Sequence, residues 1–237
     1  MPEIINLEFY QKIQRSASVK SFRFYLKNPI NFIPGQFAKI LFDKDNISDK
    51  ELNKYLSFSA SPGKNYIEFT KKLSQSEFSK KLDSLNKKDR VFIQAPLGNC
   101  TFKDEYKKIA FLIGGIGITP VISIIEYIVG RKLNTNLVLF YSNRTDKEIA
   151  FKRELDNWQK NNQNVKIIYT ITDFQPKDSK IKKGHIDEEM VSETIKNYEE
   201  RIFFIYGPPG MVSSMVKLCS NIGCRSDRVK KERFIGY

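Results

Sequence analysis

The chain has 237 residues, 41% hydrophobic and 28% charged, enough to build a buried core in one large domain or two small ones. Its 40 Lys+Arg against 27 Asp+Glu give a formal net charge of +13, with 18 Lys+Arg against 10 Asp+Glu in residues 1–103. Such an excess attracts polyanions, phosphate-bearing cofactors or acidic proteins and does not choose among them. Cys100, Cys219 and Cys224 form no CxxC pair, which argues against a disulfide framework or a four-thiolate cluster and points to a reducing cytoplasm. The one histidine, His185, reads as a loop or surface residue, so no metal site is expected. No signal-peptide pattern opens the chain. Residues 109–129 are nearly uncharged and long enough to span a bilayer. They contain Gly114, Gly115, Gly117 and Thr119-Pro120, and they read as a buried strand that turns into a packed helix rather than a membrane span.

Up to about Phe102, short alternating or β-branched runs at 4–11, 21–26, 37–42, 55–59, 66–71 and 90–94 predict an antiparallel β-barrel or sandwich. One short helix is expected over 76–85, where Phe78, Leu82 and Leu85 share a face. From Lys108 the rhythm becomes strand then helix. Strands are expected at 109–113, 136–141, 165–170 and 202–206, and helices from Thr119, through Ile149 and Leu155, from Asp187 and from Pro209. This alternation predicts an α/β domain with a parallel sheet. Thr145 and Glu148 have the spacing of a capping box for the second helix. Residues 173–183, with Pro176 and several lysines, read as the longest loop. The expected domains are 1–103 and 104–237, divided at a charged linker.

In open α/β sheets, phosphates bind beyond the carboxyl ends of strands, where glycines admit the backbone and a helix N-terminus supplies N–H groups. Gly114-Gly115-Ile116-Gly117-Ile118-Thr119-Pro120 lies at such a place, and so does Gly207-Pro208-Pro209-Gly210-Met211. Each alone also fits a tight turn in a core; two such turns after two parallel strands carry more weight.

The order Pro34-Gly35-Gln36-Phe37, Lys54-Tyr55-Leu56-Ser57, Gly114 to Pro120, Tyr141-Ser142-Asn143-Arg144, Gly207 to Met211 and Glu232-Arg233-Phe234 resembles the ferredoxin–NADP reductase superfamily over essentially the whole chain. The resemblance implies an FAD-binding β-barrel followed by an NAD(P)-binding α/β domain, and a reaction in which hydride passes between nicotinamide and flavin. It assigns Lys54, Tyr55, Leu56 and Ser57 to FAD, with Ser57 near the flavin N5. Lys54 and Leu56 stand where the family usually has arginine and an aromatic, and lysine lacks the bidentate fork that suits pyrophosphate. It assigns Phe69, Thr70 and Lys71, after Glu68, and Ser76, Phe78 and Ser79 to the second flavin segment. Gly115, Gly117, Thr119, Pro120, Gly207, Pro208 and Met211 would flank the nicotinamide nucleotide, with Thr119 also approaching the flavin. Tyr206 replaces a cysteine common in relatives. Phe234 is the expected ring on the flavin face, with Tyr237, beyond Gly236, as its rival. Ser57, Thr119 and Phe234 are therefore the expected catalytic residues.

The second strand of the nucleotide domain ends in Ser142-Asn143-Arg144, with no acid before Asp146. NAD sites usually carry a carboxylate there, so Ser142 and Arg144 favour NADP(H) over NAD(H). The resemblance and the basic charge together imply an acidic ferredoxin or flavodoxin as partner, with electrons running in either direction. A flavin or quinone reductase is the alternative. A non-catalytic basic binding protein is the remaining reading; the lysines are spread over both domains without an aromatic-interleaved RNA-binding signature, so no nucleic-acid partner is expected.

Overall fold

The computed structural model describes residues 2–234. The chain divides into two compact units: the residues through Phe102 together with Thr119–Tyr127, and Lys103–Ile118 together with the residues from Ile128 onward.

In the first unit, β1 (Glu3–Gln14), β2 (Val19–Tyr25), β3 (Phe37–Leu41), β4 (Lys54–Ser57), β5 (Tyr66–Lys72) and β6 (Arg90–Leu97) form, among the described residues, a six-stranded sheet in the order β4-β3-β6-β1-β2-β5. Every adjacent pair is antiparallel. An isolated bridge between Phe58 and Phe69 links the chain after β4 to β5, so the sheet nearly closes on itself. The inward positions are strongly aromatic: Phe9, Phe22, Phe24, Phe58, Phe69 and Phe78 pack with Val91 and Ile93, each buried ring contributing about 1.5–3 kcal/mol. The short α1 (Glu77–Asp83) is capped by Ser76, whose Oγ accepts from the Ser79 N–H, and it buries Phe78 and Leu82. Part of α2 (Ile118–Gly130) belongs to this unit. There Ser123 Oγ donates to Ala60 O at 2.9 Å, and Glu126 accepts from Ser61 N at 2.7 Å and pairs with Lys64.

In the second unit, β7 (Lys108–Gly114), β8 (Asn136–Asn143), β9 (Val165–Ile171), β10 (Ile181–Lys183), β11 (Ile202–Gly207) and β12 (Val229–Arg233) form a parallel sheet in the order β10-β9-β8-β7-β11-β12 among the described residues. The central strands are unbroken apolar runs because both faces are covered. Buried Arg201 ties their amino ends together, donating to Ile109 O at 3.0 Å and to Asn136 Oδ1 at 2.6 Å. The remaining helices are α3 (Lys152–Asn161), α4 (Glu188–Thr194), capped by Asp187, and α5 (Pro209–Asn221). The apolar stretch 109–129 is thus a strand, a glycine turn and a helix, and among the described residues no helix is long and apolar enough to cross a membrane.

Two expectations need correction, and one strand was not foreseen. Thr145 makes no side-chain capping bond: Asp146–Glu148 is one 3-10 turn, the chain extends at Ile149, and α3 starts only after Phe151, whose φ is +60°. Burial of Ile149, Ala150 and Phe151 pulls the backbone out of the helix that the spacing suggested. The loop 173–183 ends in β10, and the carboxyl-terminal segment before Phe234 is β12, paired in parallel with β11 from Phe203↔Val229 to Gly207↔Arg233.

Candidate cofactor and nucleotide sites

In the barrel, the turn at Pro34-Gly35-Gln36-Phe37 is a structural tie. Gly35 has φ +104°, a conformation that favours glycine. Gln36 Nε2 donates to Gly98 O at 3.2 Å, and Gln36 O accepts from Phe58 N at 3.1 Å. It therefore holds β3 in register with β4, pairing Phe37 with Ser57 and Ile40 with Lys54. Ser57 is buried, Tyr55 is largely exposed, and Leu56 packs against the margin of the core.

On β5 the side chains divide. Phe69 is enclosed in the core, and Thr70 Oγ1 shares hydrogen bonds with Ser21 Oγ at 2.6 Å and Ser59 Oγ at 2.7 Å. Glu68 is buried between Arg15 Nη2 at 3.0 Å and Arg23 Nε at 2.7 Å. Phe78 is likewise fully buried. A cofactor along this edge therefore meets the backbone of Phe69, Thr70 and Phe78, not their side chains. Lys71 differs. It is only 8% exposed, its Nζ lies 5.8 Å from the Phe78 ring centroid, and burial together with the nearby Lys54 charge pushes its ammonium below the ordinary lysine value. The shift has no opposing contribution from a carboxylate. Lys54 Nζ donates to Lys50 O at 2.6 Å, and its charge together with that of Lys71 makes this edge of the barrel positive. Ser74, Ser76 and Ser79 place hydroxyls within 3.0–3.2 Å of one another at the start of α1. Thr119 and Pro120, at the start of α2, are both buried.

In the second unit the chain leaves β7 for β8, β9 and β10 on one side, then returns to β11 on the other. This reversal makes the carboxyl ends of β7 and β11 the topological switch point, where α/β sheets open a crevice for ligands. Both glycine turns stand there. Gly115 has φ +51°. A Cβ on Gly117 would overlap the Tyr206 carbonyl, and one on Gly114 would overlap the Met211 sulfur. Gly207 lies under the same sulfur, 3.2 Å from where its own Cβ would be. Glycine here secures close approach of the two turns. Pro208 is exposed beside them. Phe234 N donates to Gly207 O at 3.0 Å, and its ring centroid lies 6.3 Å from that of Tyr206, which brings Phe234 to the same end of β11. Tyr237 lies outside the described residues.

At the end of β8, Ser142 is half-buried and Arg144 exposed. Sequence reasoning missed their neighbours. Asp173 N donates to Arg144 O at 3.0 Å, so an acid from the turn after β9 stands beside position 144. Thr170 Oγ1 is buried with no hydrogen-bond partner among the described residues, and the fully buried Tyr141 hydroxyl lies beside Asn143. The parallel register that pairs Ser142 with Thr170 and Asn143 with Ile171 was the missing signal.

An oxidoreductase FAD-binding domain model matches residues 6–102, and an oxidoreductase NAD-binding domain model matches residues 111–217. The chain is 25% identical over 236 residues to a flavohemoprotein of Oceanobacillus iheyensis, covering 94% of this chain and 57% of that protein. It is 30% identical over 166 residues to NADH-cytochrome b5 reductase 2 of Debaryomyces hansenii, covering 68% of this chain and 55% of the relative. It thus spans little more than half the length of either. The flavohem-like FAD/NAD-binding domain of nitric oxide dioxygenase from Vibrio cholerae superposes with a TM-score of 0.84 at 21% identity, covering 97% of this chain and 98% of that one. Sharing that two-domain fold and matched along most of its length by the paired FAD- and NAD-binding models, the chain belongs to the ferredoxin reductase-like superfamily of FAD- and NAD(P)-binding oxidoreductases.

Proposed function

We propose that the chain is an NAD(P)H-dependent flavoprotein reductase that binds FAD on its barrel and the nicotinamide nucleotide at the β7/β11 switch point. The observation that carries this reading is the pair of glycine turns at that switch point; the buried Lys71 on β5 supports the FAD site on the barrel. Lys71 and Lys54 would meet the FAD pyrophosphate, with the hydroxyls of Ser76 and Ser79 and the backbone of Phe69, Thr70 and Phe78 along the same edge. Tyr55, Leu56 and Ser57 would border the flavin, with Ser57 hydrogen bonding at its reacting edge and Thr119 and Pro120 closing the pocket. Gly115, Gly117, Gly207, Pro208 and Met211 would hold the nucleotide, and Phe234 would cover the flavin face until nicotinamide replaces it. When bound, FAD supplies the ring that exchanges hydride with nicotinamide; the protein's contribution is orientation and exclusion of water. No general base is needed.

Absence of an acid within β8 supports NADP(H), with Ser142 and Arg144 on the 2′-phosphate. Asp173 beside Arg144 supports NAD(H) as the second reading, and the yeast relative is named for NADH. The acceptor we favour is an acidic one-electron protein such as a ferredoxin or flavodoxin, suited to a net charge of +13; a small quinone or free flavin is the other candidate. Three free thiols support a cytoplasmic setting. The test is to purify the protein, identify the released flavin, and compare steady-state turnover with ferredoxin, flavodoxin and quinone acceptors using NADPH and NADH. A colourless protein that FAD cannot reconstitute, or one that takes FMN, overturns the reading.

A further inference from the structure

Helix α5 ends in a full Schellman motif. Gly223 takes φ +85° and its N–H donates to Ser220 O at 3.1 Å, while Cys224 N–H donates to Cys219 O at 2.8 Å. This pair of five-to-two and six-to-one bonds folds the residue after the glycine back onto the last turn, so the side chains at its two ends meet. The pair is commonly apolar; here both residues are cysteines. Cys219 is fully buried among Val212, Met215 and Leu218, and Cys224 packs at the half-buried rim of the same cluster. The two thiols influence each other's proton affinity: the neighbouring Cys224 thiol together with burial pushes the Cys219 thiol up, and the neighbouring Cys219 thiol holds the Cys224 thiol below its ordinary value. One sulfur is thus enclosed and the other reachable from solvent, the arrangement of a resolving and an attacking thiol.

We propose that Cys219 and Cys224 form a redox-active dithiol that hydrogen peroxide closes to an intramolecular disulfide. The Cys224 thiolate attacks one peroxide oxygen; the O–O bond breaks, an S–O bond forms, and the departing hydroxide takes a proton to leave as water. The Cys219 sulfur then attacks the Cys224 sulfur. The S–S bond forms as the S–O bond breaks, and the second hydroxide leaves as water with the Cys219 proton. Two thiols lose two electrons and two protons, and peroxide is reduced to two waters. The cross-link clamps the end of α5 to the chain that leads into β12.

The test uses the full chain, reduced and then exposed to a small excess of hydrogen peroxide, followed by alkylation, intact-mass measurement and peptide mapping. Loss of two hydrogens, a linked Cys219–Cys224 peptide, an alkylated Cys100 and full reversal by dithiothreitol are expected. Cys219→Ala should form no link and should trap a dimedone-reactive sulfenic acid on Cys224. Cys224→Ala should leave Cys219 unoxidised. Both thiols remaining reduced, a link through Cys100, or first oxidation at Cys219 would overturn the proposal. The wild-type mapping alone decides it should a variant fail to fold.

Discussion

Replacing Lys71 by Met separates an anion-binding role from a packing role, because the two predict opposite signs. The side chain is 8% exposed, has no carboxylate opposing its shift and is repelled by Lys54. Its folded proton affinity therefore lies below that of the unfolded chain. For a lysine shifted in this direction, the ammonium costs stability while it is charged in both states, and the cost lifts as pH rises through the folded value toward 10.5. Methionine keeps the length and the apolar contact with Phe78 and removes the charge. The apoprotein should thus unfold at the same or a higher temperature at neutral pH and lose its alkaline gain in stability. FAD binding should weaken, because one charge-assisted contact to the pyrophosphate is worth about 1.5–3 kcal/mol, roughly ten- to a hundredfold in affinity. Thermal unfolding of the apoprotein and titration with FAD, followed by flavin fluorescence, measure both. A destabilised apoprotein with unchanged FAD affinity would refute the reasoning and leave Lys71 a packing residue.

The switch-point packing predicts that Gly117→Ala costs about 1–3 kcal/mol by overpacking against the Tyr206 carbonyl, whereas Gly130→Ala, with open space around it, should be neutral or slightly stabilising; urea unfolding compares them. Burial pushes the Glu232 carboxyl up to about 7. Its ionisation cost is absent below the ordinary 4.5 and complete above about 7, so stability should fall across that window and Glu232→Gln should flatten the fall, as read from unfolding midpoints at pH 5 and pH 8. Arg144→Ala should raise the KM for NADPH about ten- to a hundredfold and leave that for NADH nearly unchanged, an equal effect on both arguing that Asp173 and not Arg144 sets the preference. Phe234→Ser should tighten binding of the nicotinamide nucleotide, measured by equilibrium titration; unchanged affinity would mean that the ring only packs on Tyr206.

The rhythm of the chain carried the architecture. Alternating β-branched runs marked the barrel strands, and the unbroken apolar runs of β7, β8 and β11 marked a sheet covered on both faces. What escaped was structure whose stability comes from neighbours. The short β10 and the charged Val-Lys-Lys-Glu-Arg run of β12 carry no apolar alternation and are strands because β9 and β11 offer them open edges. Thr145 and Glu148 have capping-box spacing, yet the burial of three successive apolar residues outweighs a cap worth about 1 kcal/mol. At the sites, motif spacing located both glycine turns, but it could not tell that Phe69, Thr70 and Phe78 turn their side chains inward while Lys71 stands apart. Nor could it see Asp173 arriving beside Arg144 from a different strand.

The position of β12 has a consequence for association between molecules. Without it, β11 would be the rim of the sheet, and Phe203, Phe204, Ile205 and Tyr206 would line an open row of backbone donors and acceptors. Such a rim is a template on which another chain can add a strand. The strand that covers it carries Lys230, Lys231 and Arg233 around a half-buried Glu232, with Lys231 and Arg233 exposed, and a second copy would have to bring its own like charges against them. The last strand before Phe234 is therefore also a guard on solubility, keeping the most aromatic strand of the nucleotide-binding unit from serving as a seed for aggregation.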